Sequence, residues 1–418
     1  MKSKPFELIV FGATGFTGRL VAEYLNNTQG AGGRVAWAMA GRSLDKLDDV
    51  RRLIGVPDTV PLLQADASDA ASLAVLVAQT QVVISTVGPY QLYGEPLLRA
   101  CAEAGTDYVD LCGEPGWMAQ MIARHDAAAR ASGARIVFSC GFDSVPFDLG
   151  VLYLQSEAQH RFGAPLQQVR GRVRVMKGGF SGGTLASALA TVEAMGDDPA
   201  LERLMADPFA LVTGLVPALV PGFKTGFKGP AQPESELAAY DAAAKSWTGP
   251  FVMAAINTKN VHRTNALRGH AWGRDFFYDE RMLTGDGADG ERRAKSLARK
   301  TRLQNLALGW GPTRALLRLA LPKPGQGPSK HERETGRYEV LFSGETAKGQ
   351  TLSAVVKGDR DPGYGSTCKL ISESALCLVQ DVDRSMAGGG IWTPGAAMGL
   401  VLVRRLQERA GLSFSIAA

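Results

Sequence analysis

"IVFGATGFTGRLVAEYL", residues 9–25, passes from an apolar run to a helix-like run through Gly12, Gly15 and Gly18, spaced three residues apart. In a strand–helix–strand unit such a turn is typical of dinucleotide binding, because free N–H groups at the helix N-terminus face the pyrophosphate. The three glycines would allow a tight turn, close approach of the phosphates and close helix–strand packing. The expected cofactor contacts are Gly12, Thr14, Gly15, Phe16, Thr17 and Gly18. The alternative is a structural turn without a ligand.

The first part of the chain alternates regularly between apolar runs and single helical stretches. Strands are expected near residues 6–13, 34–42, 59–66, 81–89, 107–114 and 134–142. Strands buried on both faces give continuous apolar runs, and single helices between them indicate parallel pairing. With right-handed crossovers, the pattern predicts an α/β fold: a Rossmann-type, doubly wound parallel sheet.

The pattern changes after residue 145. The stretches 169–179 and 338–359 alternate apolar and polar residues, which is typical of antiparallel strands exposed on one face. We predict a dinucleotide-binding domain over 1–145, an inserted α+β substrate or oligomerisation domain over 146–364, and a C-terminal segment over 365–418 that returns to the first domain. In that segment, residues 393–411 are expected to form one amphipathic helix packed on the first domain.

The end of the second predicted strand indicates which dinucleotide is bound. A site for NAD usually has Asp or Glu there, whereas this strand ends in Arg42, followed by Ser43 and Lys46. A cation in that position accommodates the 2′-phosphate of NADP. We therefore expect NADP(H); the alternative is that Arg42 only caps a surface helix.

Two further strand ends belong to the same site by topology. The third strand ends near Asp66 and Ala67, which are expected to flank the adenine. The fourth ends beside the point where the strand order reverses, where Rossmann sheets place the nicotinamide half. The candidates there are Ser85, Thr86, Val87 and Gly88.

Composition excludes several other classes. The 418 residues include 46 basic and 41 acidic ones, so a dedicated nucleic-acid binder is not indicated. Five scattered cysteines form no zinc or disulfide pattern, and five histidines form no metal-ligand pattern. We expect no metal, a reducing compartment and a cytoplasmic location. The most apolar stretch, 210–223, contains two prolines and is shorter than the roughly 20 residues that a membrane span requires.

Longer motifs resemble a known family. "FGATGFTG" (11–18), "AGRSLDKL" (40–47), "STVGPYQLYGEPLLRACAEAGTDYVDLCGE" (85–114) and "GFDSVPFDLG" (141–150) are similar to the saccharopine dehydrogenase-like oxidoreductases. In the second half, "SGGT" (181–184), "NTKNVHRTNAL" (257–267), "PKPGQGPS" (322–329) and "TPGAAMG" (393–399) resemble the trans-acting enoyl reductase subfamily. The resemblance spans nearly the whole chain.

This resemblance implies an NADPH-dependent enzyme that reduces enoyl-thioester intermediates of a polyketide synthase lacking its own enoyl reductase, in the biosynthesis of complex lipids. Two alternatives stay open. One is a saccharopine dehydrogenase-like reaction at a C–N bond, which would require convergent arginines that the sequence does not show. The other is a non-catalytic, cofactor-binding protein associated with lipid or membrane. A homodimer is compatible with each.

Enoyl reduction needs a proton for the α-carbon and a donor for the developing enolate oxygen. Near the ends of strands four to six the candidates are Tyr90, Tyr93, Glu114 and Asp143. We favour Tyr90 as the enolate donor. Asp143 is expected to fix the hinge between the domains by accepting backbone N–H bonds. Two histidines of the second half, His262 and His270, are expected to be core or surface residues.

Two segments of the second half are candidates for further binding. The glycine-rich entry to a helix at 177–189, with Thr184 as cap, would suit a phosphate or a thioester carbonyl, or else it is only a joint. Residues 291–323 carry nine cations against one acid, with leucines between them. Such a segment suits an acidic acyl-carrier domain, a peripheral contact with the inner face of the membrane, or no partner at all.

Overall fold

The N-terminal motifs lie in a parallel sheet of seven strands. The computed structural model describes residues 4–30, 35–178, 187, 189–193, 198–212, 227–309 and 327–417. In chain order, the strands of this sheet are β1 (Phe6–Phe11), β2 (Trp37–Gly41), β3 (Leu62–Gln64), β4 (Thr80–Ser85), β5 (Asp107–Val109), β6 (Arg135–Val137) and β13 (Gly390–Trp392). Their order across the sheet is β13-β6-β5-β4-β1-β2-β3, so the direction of winding reverses between β1 and β4. The predicted Rossmann-type sheet is confirmed.

Helices cover both faces of this sheet, which explains why its strands are almost entirely apolar. Leu8 and Val10 of β1 enter one core, whereas Ile9 and Phe11 enter the other. The first-half helices are α1 (Phe16–Gln29), α2 (Leu44–Leu53), α3 (Ala70–Ala78), α4 (Tyr90–Tyr93), α5 (Glu95–Ala104) and α6 (Pro115–Ser132). This arrangement leaves the carboxyl ends of the strands as the edge where a ligand can bind.

A second, mixed sheet carries the rest of the fold. Its strands are β7 (Leu166–Lys177), β8 (Ala239–Asp241), β9 (Ser246–Pro250), β10 (Phe277–Gly285), β11 (Arg337–Thr346), β12 (Thr351–Gly358) and β14 (Leu412–Ile416). They lie in the order β14-β12-β11-β7-β10-β9-β8, and only the β7–β10 pair is parallel. The alternating stretches at 169–179 and 338–359 correspond to β7 and to the β11–β12 hairpin, which confirms the α+β character of this half.

The helices after residue 144 connect the two sheets. They are α7 (Val145–Phe162), α8 (Pro199–Ala206), α9 (Ala254–Leu267), α10 (Gly287–Gly309), α11 (Lys330–Thr335), a π-helical turn (Pro362–Ser366), α12 (Thr367–Gln380), α13 (Pro394–Ala397) and α14 (Gly399–Arg409). Among the described residues no helix is both long and apolar enough to cross a membrane.

The C-terminal segment contributes to both sheets. Helix α12 packs on α1, and β13 extends the first sheet by pairing with β6. Strand β14 instead pairs with β12 at the edge of the second sheet. The single helix expected over 393–411 is wrong in detail: Met398 separates α13 from α14, and Thr393 caps α13 by accepting from the Ala396 N–H.

Candidate functional site

The β1–α1 turn has the geometry of an anion-binding loop. Gly12 adopts a left-handed φ of 88°, and Gly15 caps α1 without a side-chain hydrogen bond. Over the described part of the chain, the N–H groups of Phe16, Thr17 and Gly18 have no acceptor. Three free amides at the start of a 14-residue helix suit the pyrophosphate of a dinucleotide.

The glycines of this turn are required by the end of β4, which packs against it. A Cβ on Gly12 would lie 2.7 Å from Val87 Cγ2, and one on Gly18 would lie 2.7 Å from Thr86 Oγ1. Thr86 Oγ1 itself donates to the Phe11 carbonyl at 3.1 Å. The structure therefore brings the predicted residues of the turn and of the β4 end together at one edge of the sheet.

Two uncompensated cations lie at the end of β2. Arg42 and Lys46 are exposed, and neither forms an ion pair within the described ranges. Ser43 Oγ accepts from the Lys46 N–H at 3.3 Å and so caps α2. Since the sequence places both cations where an NAD site usually has an acid, they are available to a 2′-phosphate.

Asp66 and Ala67 follow β3 at the same edge. Asp66 Oδ1 accepts from both the backbone N–H and the hydroxyl of Ser68, at 2.9 and 2.8 Å, and these bonds lower the pKa of its carboxyl. Asp66 thus shapes the turn after β3, while Ala67 packs against the core below.

A segment of the second half, which the sequence gave no means of placing, contacts the glycine turn. The Phe16 ring packs edge-on against Tyr364, with centroids 4.9 Å apart. Two guanidinium groups lie by the same ring: Arg19 at 5.3 Å and Arg333, from α11, at 5.6 Å. The nucleotide-binding edge is therefore formed by both halves of the chain.

Tyr90 is engaged by the backbone around it. Its side chain is 5% exposed, and its hydroxyl donates to the Ser85 carbonyl at 3.0 Å and accepts from the Leu111 N–H at 3.1 Å. Burial raises the pKa of this hydroxyl well above its usual value. Because its single proton is already donated, these contacts argue against the predicted role of Tyr90 as enolate donor and favour a structural role between β4 and β5.

Glu114 has a similar structural role. Its carboxylate is 2% exposed and accepts from the N–H groups of Tyr90 and Gln91, at 2.9 and 2.8 Å, at the start of α4. Burial is the main cause of its raised pKa. Tyr93, by contrast, is 49% exposed at the end of that helix.

Asp143 does not make the hinge contacts expected of it. Over the described ranges its carboxylate accepts no hydrogen bond and forms no ion pair. The neighbouring Ser144 makes the connection instead: its hydroxyl accepts from Asn260 Nδ2 of α9 at 2.7 Å. Asp143 is therefore the one acid among the four predicted candidates for the chemistry, and it is left free.

Helix α9 contains "NTKNVHRTNAL" and is buried although much of it is polar. Asn257 donates to Glu280 of β10 at 2.8 Å, and burial raises the pKa of Glu280 to about 8. His262 is 3% exposed, lies against two phenylalanine rings, and has a pKa lowered to about 3 by burial and by Lys259. His262 is a core residue, whereas His270 is half-buried and stacks on Phe227.

Only part of the two remaining candidate segments can be described. Thr184 and most of 177–189 lie outside the described residues, as do Arg314, Arg318 and Lys323 of the basic segment. Residues 291–309 lie in α10, where Arg292 pairs with Asp289 and Lys295 with Glu291. In the described part of that segment, the cations without an ion pair are Arg299, Lys300 and Arg302.

Comparison with known proteins agrees with this architecture. Residues 8–137 match the model of the saccharopine dehydrogenase NADP-binding domain. The computed structure is similar to the apo saccharopine dehydrogenase of Saccharomyces cerevisiae, with a TM-score of 0.53 and 14% identity over 99% of this chain and 100% of that one. At that identity the likeness shows the fold alone.

Sequence relatives are much closer. A Mycobacterium tuberculosis relative assigned to the trans-acting enoyl reductases is 40% identical over 424 residues, covering 98% of this chain and 97% of its own. The trans-acting enoyl reductase of Mycobacterium bovis is 38% identical over 412 residues, covering 96% of each chain. The chain therefore belongs to the trans-acting enoyl reductases, NADP-dependent oxidoreductases with a nucleotide-binding domain of the saccharopine dehydrogenase type.

Proposed function

We propose that this protein reduces the carbon–carbon double bond of an enoyl thioester presented on the acyl-carrier domain of a polyketide synthase, in complex-lipid biosynthesis. The observation that carries the proposal is the uncapped start of α1 next to the free cations Arg42 and Lys46 at the end of β2. Its redox chemistry follows from the family, since NADPH when bound supplies a hydride to the β-carbon.

In this proposal the chain's residues divide the cofactor between them. The amides of the glycine turn hold the pyrophosphate, Arg42, Ser43 and Lys46 hold the 2′-phosphate, and Asp66 and Ala67 flank the adenine. The nicotinamide side is lined by Ser85, Thr86, Val87 and Gly88. All these positions lie at or beside the carboxyl edge of the first sheet, where a doubly wound fold binds its ligand.

The cofactor assignment is tested with Arg42→Ala. A hydrogen bond to a charged group contributes roughly 1.5–3 kcal/mol, so we expect affinity for NADPH to fall about 10- to 100-fold while affinity for NADH changes less than about twofold. Isothermal titration calorimetry with both nucleotides measures this. Arg52→Ala is the matched control, because Arg52 lies on the same helix but is paired with Asp48 and Asp49. Equal losses for both nucleotides would refute the 2′-phosphate contact.

Charge pairing in the second sheet argues against the alternative reaction at a C–N bond. The two carboxylates of a saccharopine-type substrate would require free arginines. Arg172 instead pairs with Asp241 at 2.6 Å and with Asp279 at 2.8 Å, and Arg281 lies 3.4 Å from the same Asp279. These buried arginines are already neutralised, which favours an acyl substrate over an amino-acid substrate.

Helix α10 supports docking of a carrier domain. Three cations without ion pairs, Arg299, Lys300 and Arg302, lie beside Leu303 and Leu306, which are 66% and 63% exposed. Cations around exposed leucines are complementary to an acidic helix, and such charges act mainly on association and choice of partner. The same surface could contact anionic lipid, which the experiment distinguishes.

Replacing Arg299, Lys300 and Arg302 with Glu is expected to raise the KM for a carrier-bound enoyl thioester at least tenfold. The KM for the same acyl group on free pantetheine should stay unchanged. Lys348→Glu, in the exposed β11–β12 turn, is the control. Loss of binding to phosphatidylglycerol vesicles without any change in carrier KM would assign α10 to the membrane instead.

A further inference from the structure

The ends of β5 and β6 are fixed to one another by a buried carboxyl group. Asp110 is fully buried, and its Oδ1 accepts from the N–H groups of Cys112 and Ser139, at 3.0 and 2.9 Å. Ser139 adopts a left-handed φ of 58°, which is costly for a residue other than glycine. Its hydroxyl donates to the Cys112 carbonyl at 2.6 Å. These bonds hold the loops after β5 and β6 side by side.

The loops place Gly113 and Asp143 next to each other at the carboxyl edge of the sheet. Gly113 is exposed, and a Cβ built on it would have a single neighbour within 4 Å, Asp143 Oδ2 at 3.9 Å. The half-buried Asp143 carboxylate therefore borders an open space above Gly113. This space follows β5 and β6, next to the β4 end where the nicotinamide is expected.

The other buried carboxyl groups near this edge are committed to backbone or side-chain bonds. Asp110 holds the β5 and β6 loops, and Glu114 holds the start of α4. Asp148, from the same motif as Asp143, accepts from the Thr264 hydroxyl at 2.6 Å and from the Gly395 N–H at 2.7 Å. Because Tyr90 has also donated its proton, the free acid at this edge of the described structure is Asp143.

The position of Asp143 is set by its neighbour. The Ser144 hydroxyl lies between Asn260, which donates to it at 2.7 Å, and Asn257, to which it donates at 3.4 Å. Asn257 continues to Glu280 of the second sheet. The Asp143 backbone is thus tied to both halves of the chain while its side chain stays without a bond, which is the arrangement expected of a group that acts on a bound ligand.

We propose that Asp143 is the catalytic acid that delivers the proton to the α-carbon of the enoyl thioester, in the space above Gly113. This inference rests on the proposed function. Hydride addition at the β-carbon leaves an electron pair shared between the α-carbon and the thioester oxygen. The Asp143 O–H bond breaks, a C–H bond forms at the α-carbon, and the resulting carboxylate takes a proton from solvent.

The protonation state of Asp143 suits this role. Burial raises the pKa of its carboxyl to about 6, and no charged group of the described residues contributes to that shift. A carboxyl group with its pKa near the working pH can both give and regain a proton within one turnover.

The test compares Asp143→Asn and Asp143→Glu with the wild-type protein, using NADPH and crotonyl-pantetheine. Removing a general acid typically costs 10²- to 10⁴-fold, so we expect kcat of the Asn variant to fall at least about 100-fold. NADPH binding by calorimetry should be unchanged, and the Glu variant should recover part of kcat. Wild-type kcat should decline as the pH rises through about 6, and this decline should be absent in the residual activity of the Asn variant.

A readout without turnover accompanies the kinetics. In infrared spectra of the protein without substrate, a protonated carboxyl band should titrate near pH 6 and be missing in Asp143→Asn. Glu114→Gln is the control, expected to lower stability while keeping the shape of the pH profile. An Asn variant with kcat within about fivefold of the wild type would overturn the assignment. A wild-type protein that binds NADPH but reduces no enoyl thioester would overturn the proposed function as well.

Discussion

The glycine turn allows packing and ligand binding to be separated by two substitutions. In Gly18→Ala the new Cβ would lie 2.7 Å from Thr86 Oγ1 and closer still to the Gly12 carbonyl oxygen. Real Cβ contacts are essentially never below 3.0 Å, so the helix or the turn must move. Overpacking of this kind costs roughly 1–3 kcal/mol, and the rigid backbone neighbour places Gly18→Ala at the upper end, about 3 kcal/mol.

In Gly15→Ala the nearest atom to the new Cβ is the Gly12 carbonyl oxygen at 3.3 Å, and the backbone is in the ordinary extended region. We expect a loss of stability below about 1 kcal/mol, because a shift of a few tenths of an ångström relieves the contact. The methyl group would nevertheless project where the pyrophosphate must approach, so affinity for NADPH should fall at least tenfold.

Urea unfolding and NADPH calorimetry on both variants decide the matter. Gly388→Ala is the control, since a Cβ there meets nothing within 4 Å, and it should leave both quantities unchanged. If Gly15→Ala binds NADPH as tightly as the wild type, the turn does not approach the phosphates as argued. If Gly18→Ala unfolds at the wild-type urea concentration, the packing argument fails.

Three further substitutions test the buried groups. Tyr90→Phe should lower the free energy of unfolding by roughly 1–3 kcal/mol, because it leaves the Ser85 carbonyl and the Leu111 N–H unpaired, with kcat within about tenfold of the wild type; a loss of 100-fold or more would restore Tyr90 as the enolate donor. Glu280 holds its proton to about pH 8 when folded, so wild-type stability should fall as the pH rises from its unfolded pKa of about 4.3 to 8, and Glu280→Gln should remove this fall in urea midpoints. His262 stays neutral to about pH 3 when folded, so stability should fall below the unfolded pKa of about 6.5, and His262→Phe should show a shallower acid transition by circular dichroism.

The features that the sequence predicts well depend on local patterns. The order of apolar runs and helices indicates the parallel sheet, and the spacing of Gly12, Gly15 and Gly18 indicates its binding edge, because both depend on residues close together in the chain. Strand β13 could not be placed in the same way. It pairs with β6 more than 250 residues earlier, and three residues carry too little periodicity to identify a partner.

The chemistry at the site depends on contacts between distant residues, and there the predictions from sequence were weakest. Tyr90 was favoured because a tyrosine after β4 can donate a proton, but its proton is given to Ser85, a bond that only coordinates reveal. Asp143 was expected to bind its own loop, but Asn260 of α9 holds the neighbouring Ser144 instead. The polar composition of α9 was itself the overlooked signal, since a polar helix in the interior must bond to something.

The placement of Asp143 explains why the two halves of this chain belong to one site. An acid that serves the β5–β6 edge must stay unbonded, and yet it must not move relative to a ligand held by the β1–α1 turn. A loop fixed only by its own sheet would give one of these properties at the expense of the other. Here Asp110 fixes the loop from the first sheet, while Asn260 and Asn257 fix Ser144 from the second half. The side chain between these two anchors is consequently free to meet substrate on a rigid backbone.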